Sequence, residues 1–283
     1  MTDTHSVRLH GDEIDFKNLT GLIGNWHGAN GFNLIAVPDQ KGSFELLIDP
    51  YTEDLVVNAV PATTPNRGLT VIENIPTLQY STTISETADS KNSLMHVEGG
   101  FWELSTESAR NAGFDIFRIA SVPHGNAVEA MGTSSVSDGP PDFDIGFNAL
   151  PTGDLPVLRG YTDQYIGAPK YPDFSPLFPT HTLSAYLQKQ IDGGLKVTKT
   201  VTLRVSTRNK GGIANIASIR TNANATEFDA TFWIETLEDQ DGHVFRQLQY
   251  FQRIMIDFPV KSDLPGQTIS WPHVNVNTLT TVT

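Results

Sequence analysis

From residue 32 onward, apolar and polar residues alternate in short runs. This period of two constrains the fold more than any other feature of the sequence. Alternating side chains on an extended strand point to opposite faces, so each run can bury one face. Runs of this kind occupy residues 32–37, 42–48, 54–59, 70–75, 77–84, 94–104, 114–122 and 127–133. They resume over 196–206, 213–219, 227–237, 244–258 and 274–282. Turn-forming residues separate them, among them Pro38-Asp39, Asp49-Pro50, Pro65-Asn66-Arg67-Gly68, Pro123-His124-Gly125-Asn126 and Asp239-Gln240-Asp241-Gly242. Strands at hairpin spacing predict an all-β chain whose antiparallel meander closes into a β-barrel.

Three stretches depart from that pattern. Leu183, Tyr186, Leu187 and Ile191 recur at helical spacing, and Gly193-Gly194 supplies a stop. Residues 16–23 suggest a second, short helical turn. Residues 137–179 are dense in proline, which cannot occupy the interior of a sheet. They also carry Phe143, Phe147, Tyr161, Tyr165, Tyr171 and Phe174, too many aromatics for a free linker. The expectation is one domain spanning 1–283, with 137–195 as an ordered insertion packed over the barrel.

The charge balance excludes several partners. Lys and Arg number 19 against 32 Asp and Glu, a net charge of −13 with His neutral. That repels nucleic acid and anionic membrane surfaces. No apolar run reaches the roughly 18–20 residues of a membrane span, and the polar N-terminus does not read as a secretory signal. A cytoplasmic protein is the expectation. With no cysteine, the chain has no thiol nucleophile and no Cys-ligated metal. Phosphate-loop, nucleophile-elbow and His-Glu-x-x-His patterns are absent too.

Three polar clusters remain. In Gly24-Asn25-Trp26-His27-Gly28, Trp26 reads as a ring closing one barrel end, its N–H needing one partner, with His27 on the opposite, exposed face. In Met95-His96-Val97-Glu98-Gly99-Gly100-Phe101-Trp102, His96 and Glu98 share one strand face. They form either a catalytic acid–base pair or an internal hydrogen-bonded pair. The Gly99-Gly100 step suggests a bulge. In Trp271-Pro272-His273-Val274-Asn275-Val276-Asn277, His273 and Asn275 share a face. A neutral imidazole there is either a metal ligand or a strand-end residue in solvent. Two lesser features are His124, expected in a solvent-facing turn or at a pocket mouth, and Gln247 with Gln249, expected on an exposed face.

These three motifs, in this order, resemble those of the nitrobindin family of haem-binding barrels, relatives of the calycin, lipocalin and fatty-acid-binding barrels. The first looks like that family's Gly-x-Trp-x-Gly opening. The second is similar to its central His-x-Glu-x-Gly-aromatic strand. The third resembles its last strand, whose His ligates iron. The resemblance covers about the first 136 residues and the last 70. It implies haem b in a ten-strand barrel, His273 as the metal ligand, and nitric oxide or peroxynitrite isomerase chemistry. The implied cofactor-contacting set is His273, Asn275, Trp26, Trp102 and Trp271. It departs from the family in the Pro-rich 137–195 segment and in Phe32-Asn33-Leu34, where the family carries further glycines and a Tyr-Pro pair. Three other readings stay open: a metal-free barrel for a lipid or other apolar small molecule, an isomerase or cyclase using His96 and Glu98, and a homodimer built on the Pro/aromatic segment.

Overall fold

The computed structural model describes residues 6–9, 12–38, 44–87, 93–105, 110–152, 174–259 and 268–282. The sequence-predicted Tyr161, Tyr165 and Tyr171 lie outside them. A hairpin of β1 (Ser6–Leu9) and β2 (Asp12–Asp15) leads into a 3₁₀ helix, Lys17–Leu22. The long strands β3 (Gly24–Pro38) and β4 (Phe44–Ala59) follow. A separate small hairpin, β5 (Thr64–Arg67) and β6 (Ile72–Ile75), precedes β7 (Thr77–Glu86), β8 (Leu94–Leu104), β9 (Ile116–Val122) and β10 (Asn126–Asp138). After the Pro-rich segment come helix α1 (His181–Asp192), β11 (Lys196–Ser206), β12 (Gly212–Asn215) and the short α2 (Ala217–Arg220). Strands β13 (Asn224–Glu238), β14 (Val244–Pro259) and β15 (Thr268–Val282) complete the chain.

Ten of these strands form the closed antiparallel barrel that the alternation predicts. Around the ring they run β3, β4, β7, β8, β9, β10, β11, β13, β14 and β15, and β15 pairs with β3. Closure rests on β10 against β11, from Met131↔Ser206 to Asp138↔Lys199. No helix among the described residues is long and apolar enough to cross a membrane.

Both proline turn signals at Pro50 and Pro65 give way to strand. Pro50 sits inside β4, opposite Phe32, one residue before β4 begins to pair with β7 at Tyr51↔Glu86. A missing N–H is tolerated where no second strand adjoins. Pro272 follows the same logic in β15, which pairs with β3 only from Val274 onward. Residues 213–219, expected as strand, split into β12 and α2.

The expected bulge at Gly99-Gly100 is not there. Those residues pair in register with Ser81 and Tyr80, and the register shift falls between Ile84 and Ser85 of β7. Gly100 instead permits close approach. A Cβ there would stand 2.0 Å from the Ile119 carbonyl oxygen and 2.9 Å from the Tyr80 ring. Gly100→Ala is expected to lower stability by about 2 kcal/mol through backbone displacement, readable by urea unfolding. A true shift does occur between Gly28 and Gly31 of β3. A Cβ at Gly31 would meet the Tyr51 ring at 2.3 Å, so Gly31 makes room for a tyrosine inside the barrel.

One end of the barrel is sealed. Trp26 is buried and donates its indole N–H to the Leu22 carbonyl at 2.7 Å, tying β3 to the 3₁₀ helix. Around it pack Leu22, Leu55, Val57, Leu78, Trp102 and Phe232, with Trp102 edge-on to Phe232 at 5.2 Å.

A second core lies on the outer face of the wall. Alternation in β13 and β14 puts Phe232 and Tyr250 in the interior core and Trp233 and Phe251 in the outer one. Described parts of the 137–195 segment cover them. Phe143 meets Trp233 edge-on at 5.0 Å, Phe147 stacks on Phe251 at 6.4 Å, and Phe174 stacks on Phe32 at 5.7 Å. Helix α1 buries Leu183 and Leu187. Gln247 and Gln249, expected to be exposed, are fully buried. Gln249 Nε2 donates to the Leu183 carbonyl of α1 (3.1 Å) and to Thr278 (2.7 Å), while Gln247 exchanges hydrogen bonds with Gln190 of the same helix.

Candidate functional site

The barrel interior is apolar at the sealed end and polar above it. The polar layer comes from side chains of inward parity on six strands. Glu53 of β4 receives three hydrogen bonds: from Tyr250 (2.6 Å), Asn277 (2.9 Å) and Thr82 (2.8 Å). Tyr51 and Tyr250 share a hydrogen bond of 2.7 Å. Burial raises the Glu53 carboxyl above its ordinary value, and those donors partly offset it. Both tyrosines are pushed upward, first by burial and then by the Glu53 charge, so they stay neutral.

A second group surrounds Glu98. Arg118 Nη2 lies 2.7 Å from Glu98 Oε1, Tyr80 donates to the same oxygen at 2.5 Å, and His96 Nε2 is 3.5 Å from Oε2. Arg118 also donates to Gln252 of β14. Its guanidinium lies 5.1–5.6 Å from the ring centres of Phe232, Phe228, Tyr80 and Trp102. Burial alone would raise the Glu98 carboxyl. The Arg118 charge, with hydrogen bonds from His96 and Tyr80, overrides it and holds the group at about 2. Glu98 is therefore an ionised anchor at neutral pH and carries no proton to donate. His96 and Glu98 stand together on one inward face, and Arg118 pairs with the same carboxylate.

Between these groups lies an enclosed cavity of about 20 Å³, bordered by Glu53, Tyr80, Thr82, Arg118, Tyr250 and Gln252. That is room for about one water molecule.

Three imidazoles gather above this layer, at the end opposite Trp26. His96 opens β8, His124 sits in the turn between β9 and β10, and His273 lies near the start of β15. The rings of His96 and His124 are 5.5 Å apart and tilted by 31°. His124 is thus both things the sequence allowed, solvent-facing and at the barrel mouth. Its ring is pushed below the ordinary histidine value by partial burial and by His96. His273 is held near 4 by burial, then by the charges His96 and His124 would carry. It is neutral at pH 7. His273 Nε2 lies 2.6 Å from Asn33 Oδ1, and Asn275 Nδ2 donates to that same oxygen at 3.2 Å. Ile84 and Ile254 are the cross-strand neighbours of His96 and His273 and give the mouth its apolar part.

His96, Glu98, His273 and Asn275 are therefore brought to one end of the barrel. Trp26 and Trp102 are at the other end, in the sealed core, and Trp271 is buried in the outer core with Phe174 and Leu183. Sequence reading missed Arg118, Tyr80, Glu53 and Asn33. Arg118 was findable: it shares strand parity with Ile116 and Ala120, which is an inward position for a charge.

The His273 ring nitrogen that faces Asn33 is engaged in a hydrogen bond and is not held free for a haem iron. Asn33 Oδ1 is acceptor-only, so the His273 Nε2 facing it carries the proton and has no lone pair for iron. The enclosed cavity between Glu53 and Arg118 is far too small for a porphyrin.

No protein-family model matches the sequence, and no curated protein matches it. Among solved structures, the crystal structure of Rv2717c from M. tuberculosis is similar at 16% identity and a TM-score of 0.46, over 94% of this chain and 95% of that one. No residue role is carried over from so distant a likeness.

Proposed function

We propose that the protein is a small-molecule-binding barrel whose site is the histidine-lined mouth. The observation that carries this reading is the convergence of His96, His124 and His273 from separate parts of the chain onto one barrel end, while the other end is sealed. Barrel mouths are preferred ligand sites, combining apolar walls with a few fixed polar groups. The ligand this chemistry suits is uncharged and largely apolar, with one polar head. His273 and Asn275 offer it neutral hydrogen bonds, and Ile84 and Ile254 offer apolar contact. Glu98 and Arg118 form the floor and neutralise each other.

Nile red, a neutral apolar dye, is the test. The full chain is expected to bind it saturably, with fluorescence enhancement at a 1:1 ratio. His273→Leu and Asn275→Leu are each expected to change the dissociation constant at least tenfold, while Trp271→Phe in the outer core leaves it unchanged. Dye binding indifferent to both His273→Leu and Asn275→Leu would overturn the assignment. Haemin titration of the same protein separates the haem reading: a saturable Soret shift lost in His273→Ala would restore it.

A further inference from the structure

Outside the barrel, on the outer face of the wall, lies an open cleft of about 430 Å³. Its floor is written in the strand register. Thr133 of β10, Arg204 of β11, Thr231 of β13 and Phe251 of β14 are successive cross-strand partners and form one row. Ser206, Asp229 and Arg253 form the neighbouring row. Phe147, from the Pro-rich segment, makes a wall. Its ring centre lies 4.0 Å from the Arg253 guanidinium carbon and 5.0 Å from that of Arg208.

Asp229 is buried and fully engaged. One oxygen accepts from Ser206 (2.8 Å) and Arg208 (2.7 Å), the other from Arg253 (2.5 Å). The carboxylate therefore acts as a clamp that orients guanidinium groups. Arg208 keeps half of its side chain exposed, and its Nε and Nη1 donors have no protein partner among the described residues. Arg204 makes no ion pair among the described residues. Around the cleft, among the described residues, three guanidinium groups face two carboxylates, Asp229 and Glu227. In a chain of net charge −13, this leaves a local excess of cation, centred on Arg204, beside hydroxyl groups and an aromatic ring.

We propose that this cleft binds a small hydroxylated organic anion, a sugar phosphate or sugar acid, with its charged group on Arg204 and Arg208 and its ring against Phe147. Guanidinium groups suit phosphate and carboxylate oxygens alike. Thr133 and Thr231 carry hydroxyls that match those of a sugar, and an aromatic face packs on the apolar side of a sugar ring. The site is separate from the barrel mouth, so occupation of one is expected to leave the other accessible.

The test is calorimetric titration of the full chain at low ionic strength with glucose 6-phosphate, glucuronate, glucose and inorganic phosphate in turn. Saturable 1:1 binding of glucose 6-phosphate or glucuronate is expected. Glucose and inorganic phosphate, each lacking half of the recognised chemistry, are expected to bind at least tenfold more weakly. Arg204→Gln is an exposed substitution and is expected to weaken binding at least tenfold without moving Tm or Nile red binding. Thr231→Val is expected to weaken the sugar ligands and not inorganic phosphate. Tighter binding of the phosphate ester than of glucuronate names phosphate as the charged group; the reverse names carboxylate. No saturable heat from either sugar anion at millimolar concentration overturns the proposal. So does binding that Arg204→Gln leaves intact, or inorganic phosphate bound as tightly as the sugar phosphate.

Discussion

Replacing Arg118 by methionine is expected to destabilise the fold by about 3–5 kcal/mol at pH 7. The guanidinium is buried, pairs with buried Glu98, donates to Gln252 and Tyr80, and lies against four aromatic rings. Methionine fills much of the same volume but leaves an ionised carboxylate in the barrel without a counter-charge. The double variant Glu98→Gln/Arg118→Met is expected to regain more than half of the loss, because it removes the orphaned charge as well. Urea unfolding of the three proteins measures this, and a loss below about 1 kcal/mol in the single variant would refute the role given to the pair. The pH dependence has a definite direction. The folded Glu98 carboxyl is depressed to about 2, below its unfolded value, so its stabilisation is complete above about pH 4.5 and is lost as pH falls toward 2. The gap between wild type and Arg118→Met is expected to close over that same acid range.

Glu235→Gln is expected to do the opposite and stabilise the protein, by on the order of 3 kcal/mol at pH 8 and by nearly nothing at pH 4. Glu235 is fully buried on the outer face, between its cross-strand neighbours Thr200 and Gln247 and near α1 through Gln190. Gln247 donates to one carboxylate oxygen at 2.7 Å, and the other has no hydrogen-bond partner. Burial raises the carboxyl to about 8, only partly offset by Gln247. The folded state therefore holds its proton where the unfolded chain has released it. Stability falls as pH rises from about 4.5 to about 8, and an amide at this position removes the slope. Thermal unfolding of both proteins between pH 5 and 9 reads the effect; parallel curves would show that Glu235 is not protonated in the fold.

The sealed barrel end was the most legible part of the molecule. Trp26 after a short helical turn, facing inward by alternation and needing one acceptor, is found that way with the Leu22 carbonyl as its acceptor. The shared face of His96 and Glu98 was equally readable, since residues two apart on a strand point the same way. Arg118 was half-legible: strand parity marks it as inward, but its partner lies on another strand. Gln247 and Gln249 were misread for a different reason. Alternation puts them on the outer face, and an outer face is wet only if nothing covers it. Helix α1, some sixty residues earlier in sequence, covers this one.

By itself the sequence determined the fold class, the sealed end, and which side chains share a face, because alternation and turn chemistry act between near neighbours in the chain. Only the tertiary structure decided which faces meet. His273 reaches Asn33, and His124 reaches His96, through pairings set by barrel closure. Arg204 joins Thr133 and Thr231 through the register of three strands. A one-residue slip in any of these pairings would turn a whole strand face over. That register is fixed by packing of the entire barrel, so no local stretch of sequence carries it.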